Sequence, residues 1–380
     1  MNIVINALSA RQGGGQTYIK NILENVPKYL DINIFVFAPE CLWAGNDSRI
    51  QFVNTSSILQ NPFIRTIWEK IIFPRTLKKL HADVLFCPGG VITTAVPKNC
   101  MTVTMFRNMI PFDLKQRKRY PLGYQRLRNY LLNRVMLKSM MKADLLIFIS
   151  QYAQKVIERA AGKKLNSSVV IPHGVNEMFR MQKGEGLDAP SWLPKEGYLL
   201  YVSTLEFYKA QIEVVRAYRY IRDSIGISKK MLLVGPENKL YGHLVRKEIR
   251  ELELERDIII KGKVPYEQLP LIYHFSTVNI FASESENCPN ILLESLASGA
   301  ATVSSSCSPM PEFAGEAVLY FDPSNPLDIA GKIITVLSDE TVRNLLQMKA
   351  VKQAAKYEWK QTAADTWSTI LSKYYSFNSK

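Results

Sequence analysis

Glu286 and Glu294 are the residues of this chain whose setting most invites chemistry. They follow an apolar run ending at Phe281 and fall before and within a stretch rich in Ile291, Leu292, Leu293, Leu296 and Ala297. The pattern reads strand, loop, helix. Pro289 suits the first helical position, where its missing N–H costs nothing, and Gly299 suits the position just past the end. A helix over 289–298 puts Glu294 in its second turn. Glu286 then lies in the loop at the carboxyl end of the strand, the edge where open α/β sheets bind ligands. The N–H groups of Asn290, Ile291 and Leu292 would point out of the helix start and offer an anion site. Each carboxylate could hold hydroxyls, about one helix turn apart. By spacing alone, two solvated acids would look the same.

Three further candidates stand in similar places. Lys209 comes just after the apolar run Tyr198–Val202 and opens the next helical stretch. A mobile point charge there suits a diphosphate, although a surface lysine would read alike. Gly13, Gly14 and Gly15 follow the first strand, where backbone can approach a ligand with a helix start facing it. They are not the dinucleotide fingerprint, because Tyr18 stands where the third glycine belongs; a plain tight turn is the alternative. Arg107 lies within the segment Thr102–Phe112. It stays protonated and cannot be a general base, so it binds phosphate, supports a leaving group or makes a structural ion pair. His173 fits a hydrogen-bonded interface histidine better than a catalytic base.

Elements that could position these residues alternate almost throughout. Strands are expected at Asn2–Asn6, Ile32–Phe37, Val84–Cys87, Met101–Met105, Leu145–Ile149 and Ser168–Ile171. A second series comprises Tyr198–Val202, Lys230–Val234, Asp257–Ile260, Val278–Ala282 and Ala301–Ser304. Strands this apolar are buried on both faces, as in parallel sheets covered by helices. The alternation runs twice, which predicts two doubly wound α/β domains, and 380 residues exceed what one core usually supports. Residues Asn176–Gly197, with Gly184, Gly186, Pro190, Pro194 and Gly197, have a linker composition. Domains are therefore expected at 1–185 and 186–357. A helical segment from Glu358, with Trp359, Ala363, Trp367 and Ile370 in register, needs a surface to cover.

Composition bounds the classes. Hydrophobic residues make up 47% and charged residues 22%, as in an ordinary globular chain. No apolar run approaches the roughly 20 residues of a spanning helix, and the opening residues read as a strand rather than a signal peptide. Cys41, Cys87, Cys100, Cys288 and Cys307 are odd in number and lack metal-ligand spacing, which fits a reducing cytoplasm and no metal site. The net charge is +14, and residues 107–142 hold ten basic side chains against one acid, Asp113. Such a block attracts phosphate in nucleic acid, lipid or a pyrophosphorylated substrate, unless it is only a solvated helix face. From Tyr120 to Met141, Tyr124, Leu127, Leu131, Leu132, Val135 and Met136 alternate with arginines and lysines. That pattern predicts a basic helix for an anionic membrane surface.

The stretch around Glu286 and Glu294 resembles the E-x7-E signature of retaining glycosyltransferases of the GT-B fold, family 4, and the likeness extends in order along nearly the whole chain. The resemblance implies two Rossmann-like domains facing a central cleft, with a terminal helix near Trp359 crossing back to the first. It implies that Glu286 holds hydroxyls of a donor sugar and Glu294 the ribose of its nucleotide. Lys209 would neutralise the leaving diphosphate, while Thr204 and Tyr208 occupy positions where the family places an arginine. Asn287, Cys288 and Pro289 replace the glycine-rich residues whose amides contact the sugar, and Pro289 has no N–H to give. Gly14 and Gly15 would face donor phosphates and acceptor, and Asn290 and Ile291 would lend amides. Gly262 and Val264 would contact the nucleobase, and Arg107 replaces a histidine near the reacting hydroxyl; Pro311 and Glu312 also fit the family pattern. The implied activity is retaining sugar transfer from a nucleotide sugar to a saccharide or lipid-pyrophosphate-linked acceptor, in surface polysaccharide assembly. No Asp-x-Asp is present, so neither metal nor other cofactor is expected. Cytoplasmic, peripheral attachment is expected, with no nucleic acid partner. A nucleotide-sugar epimerase of the same fold is the alternative, and a basic nucleic-acid binder a more distant one.

Overall fold

The computed structural model describes residues 1–10, 13–39, 45–165, 167–180 and 188–379. Cys41 and the central part of the expected linker lie outside these residues. The chain divides into two compact units. One comprises Met1–Arg117, Pro121–Gly174 and Glu358–Lys380; the other comprises Lys118–Tyr120 and Val175–Tyr357. The division falls after Gly174, earlier than the expected 185/186, because residues from Val175 onward pack with the second core.

The first unit holds a seven-stranded parallel sheet. Its strands are β1 (Asn2–Asn6), β2 (Asn33–Phe37), β3 (Ile50–Val53), β4 (Val84–Cys87), β5 (Met101–Phe106), β6 (Leu145–Phe148) and β7 (Ser168–Val170). Their spatial order is β3-β2-β1-β4-β5-β6-β7. The chain winds outward from β1 to β3 and then returns to place β4 beside β1, so the topological switch lies between β1 and β4. Helices that matter below are α1 (Gly14–Glu24), α2 (Pro62–Ile71) and α3 (Tyr124–Lys142). Edge strand β3 escaped the sequence reading, since its four residues, half of them only partly buried, carry little periodic signal.

The second unit repeats the plan with six parallel strands: β8 (Leu199–Val202), β9 (Met231–Val234), β10 (Ile258–Gly262), β11 (Val278–Phe281), β12 (Thr302–Ser305) and β13 (Val318–Phe321). The order is β10-β9-β8-β11-β12-β13, with the switch between β8 and β11. Strands β8, β9, β11 and β12 are buried at every position, as strands covered on both faces must be. β12 is polar in sequence, and its Thr302 is satisfied by the Ser295 hydroxyl at 2.7 Å. Edge strand β13 was also absent from the sequence reading. After β11 comes α4 (Asn290–Ala297), and the chain ends in α5 (Trp359–Asn378).

In the first unit α5 covers α1. Trp367 is fully buried and donates to the Ile22 carbonyl at 3.0 Å. Thr362 donates to the Pro172 carbonyl at 2.9 Å. Gly174 allows this approach, since a Cβ there would lie 2.1 Å from the Trp359 nitrogen. The basic stretch departs from expectation in one respect. It is not one helix from Tyr120: a short helix ends at Arg119, and α3 begins at Tyr124 after Pro121 and a positive-φ Gly123.

Candidate functional site

In the second unit the loops after β8 and β11 emerge side by side at the switch point, where an open α/β sheet leaves its crevice. After β8 the chain makes a 3-10 turn at Phe207–Lys209 and passes through a left-handed Ala210 into the helix Gln211–Ile225. Gln211 fixes the turn from below, donating to the Ser203 hydroxyl at 2.8 Å and the Thr204 carbonyl at 3.0 Å. The buried Tyr201 hydroxyl donates to the Lys209 carbonyl at 2.6 Å. The Glu284 N–H, after β11, donates to the Tyr208 carbonyl at 2.7 Å and ties the two loops together.

This scaffold brings Lys209 and Glu286 into a direct ion pair. Both side chains are largely buried, at 6% and 16% exposure. The ammonium also lies 5.1 Å from the Tyr208 ring centre and 5.4 Å from that of Phe281. A charge pair so poorly hydrated is held by its partners, and removing either leaves an uncompensated charge. A second pair involves the loop after β11. Arg119 contacts the nine-tenths-buried Glu284 at 2.6 Å and donates to the Phe207 carbonyl at 2.8 Å. Sequence reasoning missed this pair: Arg119 was one of ten basic residues in a block, and only the fold separates it from the rest.

Glu294 sits in the second turn of α4, as the sequence suggested, but in a different environment from Glu286. Burial pushes its carboxyl up to about 7, and the Tyr266 hydroxyl, donating at 2.8 Å, pulls it partly back. Tyr266 was not foreseen. It comes from the loop after β10, and no spacing rule links it to Glu294. Gly262, with φ of +75°, ends β10 and accepts from the Gly235 N–H at 2.9 Å; a Cβ there would meet open space. Val264 packs against the second core.

The start of α4 corrects one expectation. The helix begins at Asn290, with Pro289 at the cap rather than the first helical position, and no side chain caps it. The Asn290 N–H is taken by the Cys288 carbonyl at 2.9 Å, so it is not the free donor expected. The amides of Ile291 and Leu292 remain the uncapped pair, and the buried Asn290 Oδ1 has no hydrogen-bond partner.

The first unit gathers Gly14, Gly15 and Arg107. A Cβ on Gly15 would lie 3.5 Å from the Arg107 guanidinium, which stands 5.6 Å from the Tyr18 ring centre. Tyr18, His173 and Trp359 form an aromatic group, with His173 at 5.3 Å from each of the other two centres. At 2% exposure, this histidine is packing rather than a solvent-facing base.

Two parallel-sheet α/β units, each with a topological switch point, define the class of proteins built from paired Rossmann-like domains, the GT-B fold. Two family profiles match in chain order: Glycosyltransferase Family 4 over residues 12–178 and Glycosyl transferases group 1 over residues 188–357. The chain is a GT-B glycosyltransferase of the family 4 type. It is 26% identical over 174 residues to O-antigen chain mannosyltransferase B of Escherichia coli, a match covering 45% of each protein. It is 28% identical over 272 residues to the serotype-specific mannosyltransferase WbdA of Escherichia coli, covering 69% of this chain but 32% of WbdA. The chain thus spans less than half the length of these relatives. The crystal structure of Anabaena HepE in complex with UDP-glucose shares the fold, with TM-score 0.70, 15% identity and coverage of 97% of this chain and 100% of that one.

Proposed function

We propose that the protein transfers a glycosyl group, mannose being the first candidate, from a nucleotide sugar to a saccharide in surface polysaccharide assembly, with retention and without a metal ion. Two matched relatives are named mannosyltransferases, one for the O-antigen chain, and a protein of the same fold binds UDP-glucose. The observation that carries the reading is the buried Lys209–Glu286 pair at the switch point of the second sheet. On donor entry Lys209 exchanges carboxylate for diphosphate, and Glu286 is released to accept from sugar hydroxyls. Glu294 accepts from the ribose, and Gly262 and Val264 present backbone to the base. Ile291 amide, Asn290 side chain and Thr204 serve the phosphates. Gly14, Gly15 and Arg107 are assigned to a substrate phosphate on the first unit. The departing phosphate takes the acceptor proton on the same face, and the protein contributes positioning and charge. A thermal-shift panel of nucleotides and nucleotide sugars tests the donor site. One base should stabilise wild type and fail with Glu294→Ala; no response to any nucleotide contradicts the reading.

The acceptor is proposed to be lipid-pyrophosphate-linked, met at the cytoplasmic face of a membrane to which the protein binds peripherally. No helix among the described residues is long and apolar enough to cross a membrane. On α3, Tyr124, Leu127, Leu131 and Val135 are exposed on one side together with Arg128, Lys138 and Lys142, whereas Met136 and Met140 turn into the core. A shallow depression of about 590 Å³ on this helix is lined by Asn133, Arg134, Leu137, Lys138, Met141 and Lys142. Apolar tips among cations suit anionic headgroups.

A further inference from the structure

Helix α2 of the first unit carries an apolar row turned away from the protein. Phe63, Ile67 and Ile71 are 71%, 59% and 57% exposed, and Ile64 and Ile72 are exposed beside them. The opposite face holds the helix to the sheet. Arg65 donates to the Leu8 carbonyl at 3.1 Å, and the buried Glu69 accepts from the Asn6 side chain at 2.9 Å and from the Thr93 hydroxyl. Asn6 ends β1 and Thr93 follows β4, so α2 is fastened across the switch point of the first sheet. Helix α3 grips the same loop, its Ser139 hydroxyl accepting from the Ile92 N–H at 3.1 Å. The two exposed apolar faces therefore flank one loop at the ligand edge.

The charge around α2 selects its occupant. Lys70, Arg75, Lys78 and Lys79 are exposed, and the only acid between Pro62 and Leu80 is the buried Glu69. A second copy of the chain laid on this face would oppose like charges. An anionic bilayer supplies acyl chains for the isoleucines and phosphates for the lysines at once. We propose that α2 lies in the interface of an anionic membrane, with Phe63, Ile67 and Ile71 among the acyl chains, holding the switch point of the first sheet beside a lipid-borne acceptor. This rests on the membrane reading above but assigns the apolar anchoring to an element outside the basic stretch.

The test is flotation with vesicles of anionic and of neutral phospholipid at low salt, using the full chain. Ile67→Ser with Ile71→Ser should weaken binding to anionic vesicles roughly tenfold or more while leaving the thermal shift with a nucleotide sugar unchanged, which shows the donor unit intact. Phe63→Trp should give a blue-shifted emission on adding anionic vesicles. If the serine variant floats as well as wild type and Phe63→Trp emission is unmoved, α2 is not the anchor, although attachment through α3 stands. If wild type itself does not float, both readings fall. A dimer in sedimentation that the serine substitutions dissociate would also overturn the proposal, replacing the bilayer with a second copy.

Discussion

Glu294 sits in an environment that pH makes visible. Glu294 has its carboxyl raised to about 7 by burial, with Tyr266 hydrogen-bonded to it and the buried Tyr273 nearby. Its folded-state value lies above the ordinary 4.5, so the folded protein holds the proton between pH 4.5 and 7. That contribution is complete at pH 4.5 and is lost as pH rises to 7, about 3 kcal/mol at most. Urea titrations of the unliganded protein should show this decline, and Glu294→Gln should flatten it. Donor binding carries the opposite sign, since ribose hydroxyls donate to the ionised carboxylate: the donor KM should fall as pH rises through 7. Tyr266→Phe removes the bond that lowers this carboxyl, so the midpoint should move upward; an unmoved profile would show that Tyr266 only packs. Lys209→Met should cut kcat/KM about 100-fold or more with little change in acceptor KM, checked by steady-state kinetics on both substrates. Glu286, Glu294 and Lys209 were legible because each lies next to an apolar strand and a helix start. Tyr266 and Arg119 were not, since their partners lie in other loops and reach them only through the fold.

At the scale of elements, the sequence reading found the central strands of both sheets and the edge strands β7 and β10, but not the edge strands β3 and β13. Most central strands are apolar runs, β12 being polar, whereas β3 and β13 lie at sheet edges and are only partly buried. The start of α4 shows a finer limit. Proline is acceptable at the first helical position and at the cap, and the choice depends on how the Cys288 carbonyl captures the Asn290 N–H. Helix α5 was recognisable from the spacing of its aromatic residues, and its footing on α1 explains them. Trp367→Ala removes a fully buried ring and its bond to Ile22, and should cost about 3–5 kcal/mol, measured as a lower urea midpoint. A loss within 0.5 kcal/mol would mean that α5 adds little to the first unit.

For the molecule as a whole, the doubled α/β plan followed from alternation alone, while the meaning of +14 did not. Charge counts cannot say which cations face solvent. The structure commits Arg119 to Glu284 and leaves Arg128, Lys138 and Lys142 on an exposed face. If that face meets anionic lipid, vesicle binding should weaken steeply between 0.05 and 0.5 M salt, because screening shortens to a few ångströms (about 3 Å at 1 M). Flotation across a salt series checks this, and salt-independent binding would assign attachment to apolar contact alone.

The most direct test of the central claim is the release of nucleoside diphosphate from UDP- and GDP-mannose in the presence of a synthetic lipid-pyrophosphate saccharide, comparing wild type with Glu286→Gln. Wild type should turn over one of the two donors with retention at the anomeric carbon, and the variant should lose about 100-fold or more in kcat/KM. Equal turnover by the two proteins would contradict the assigned site.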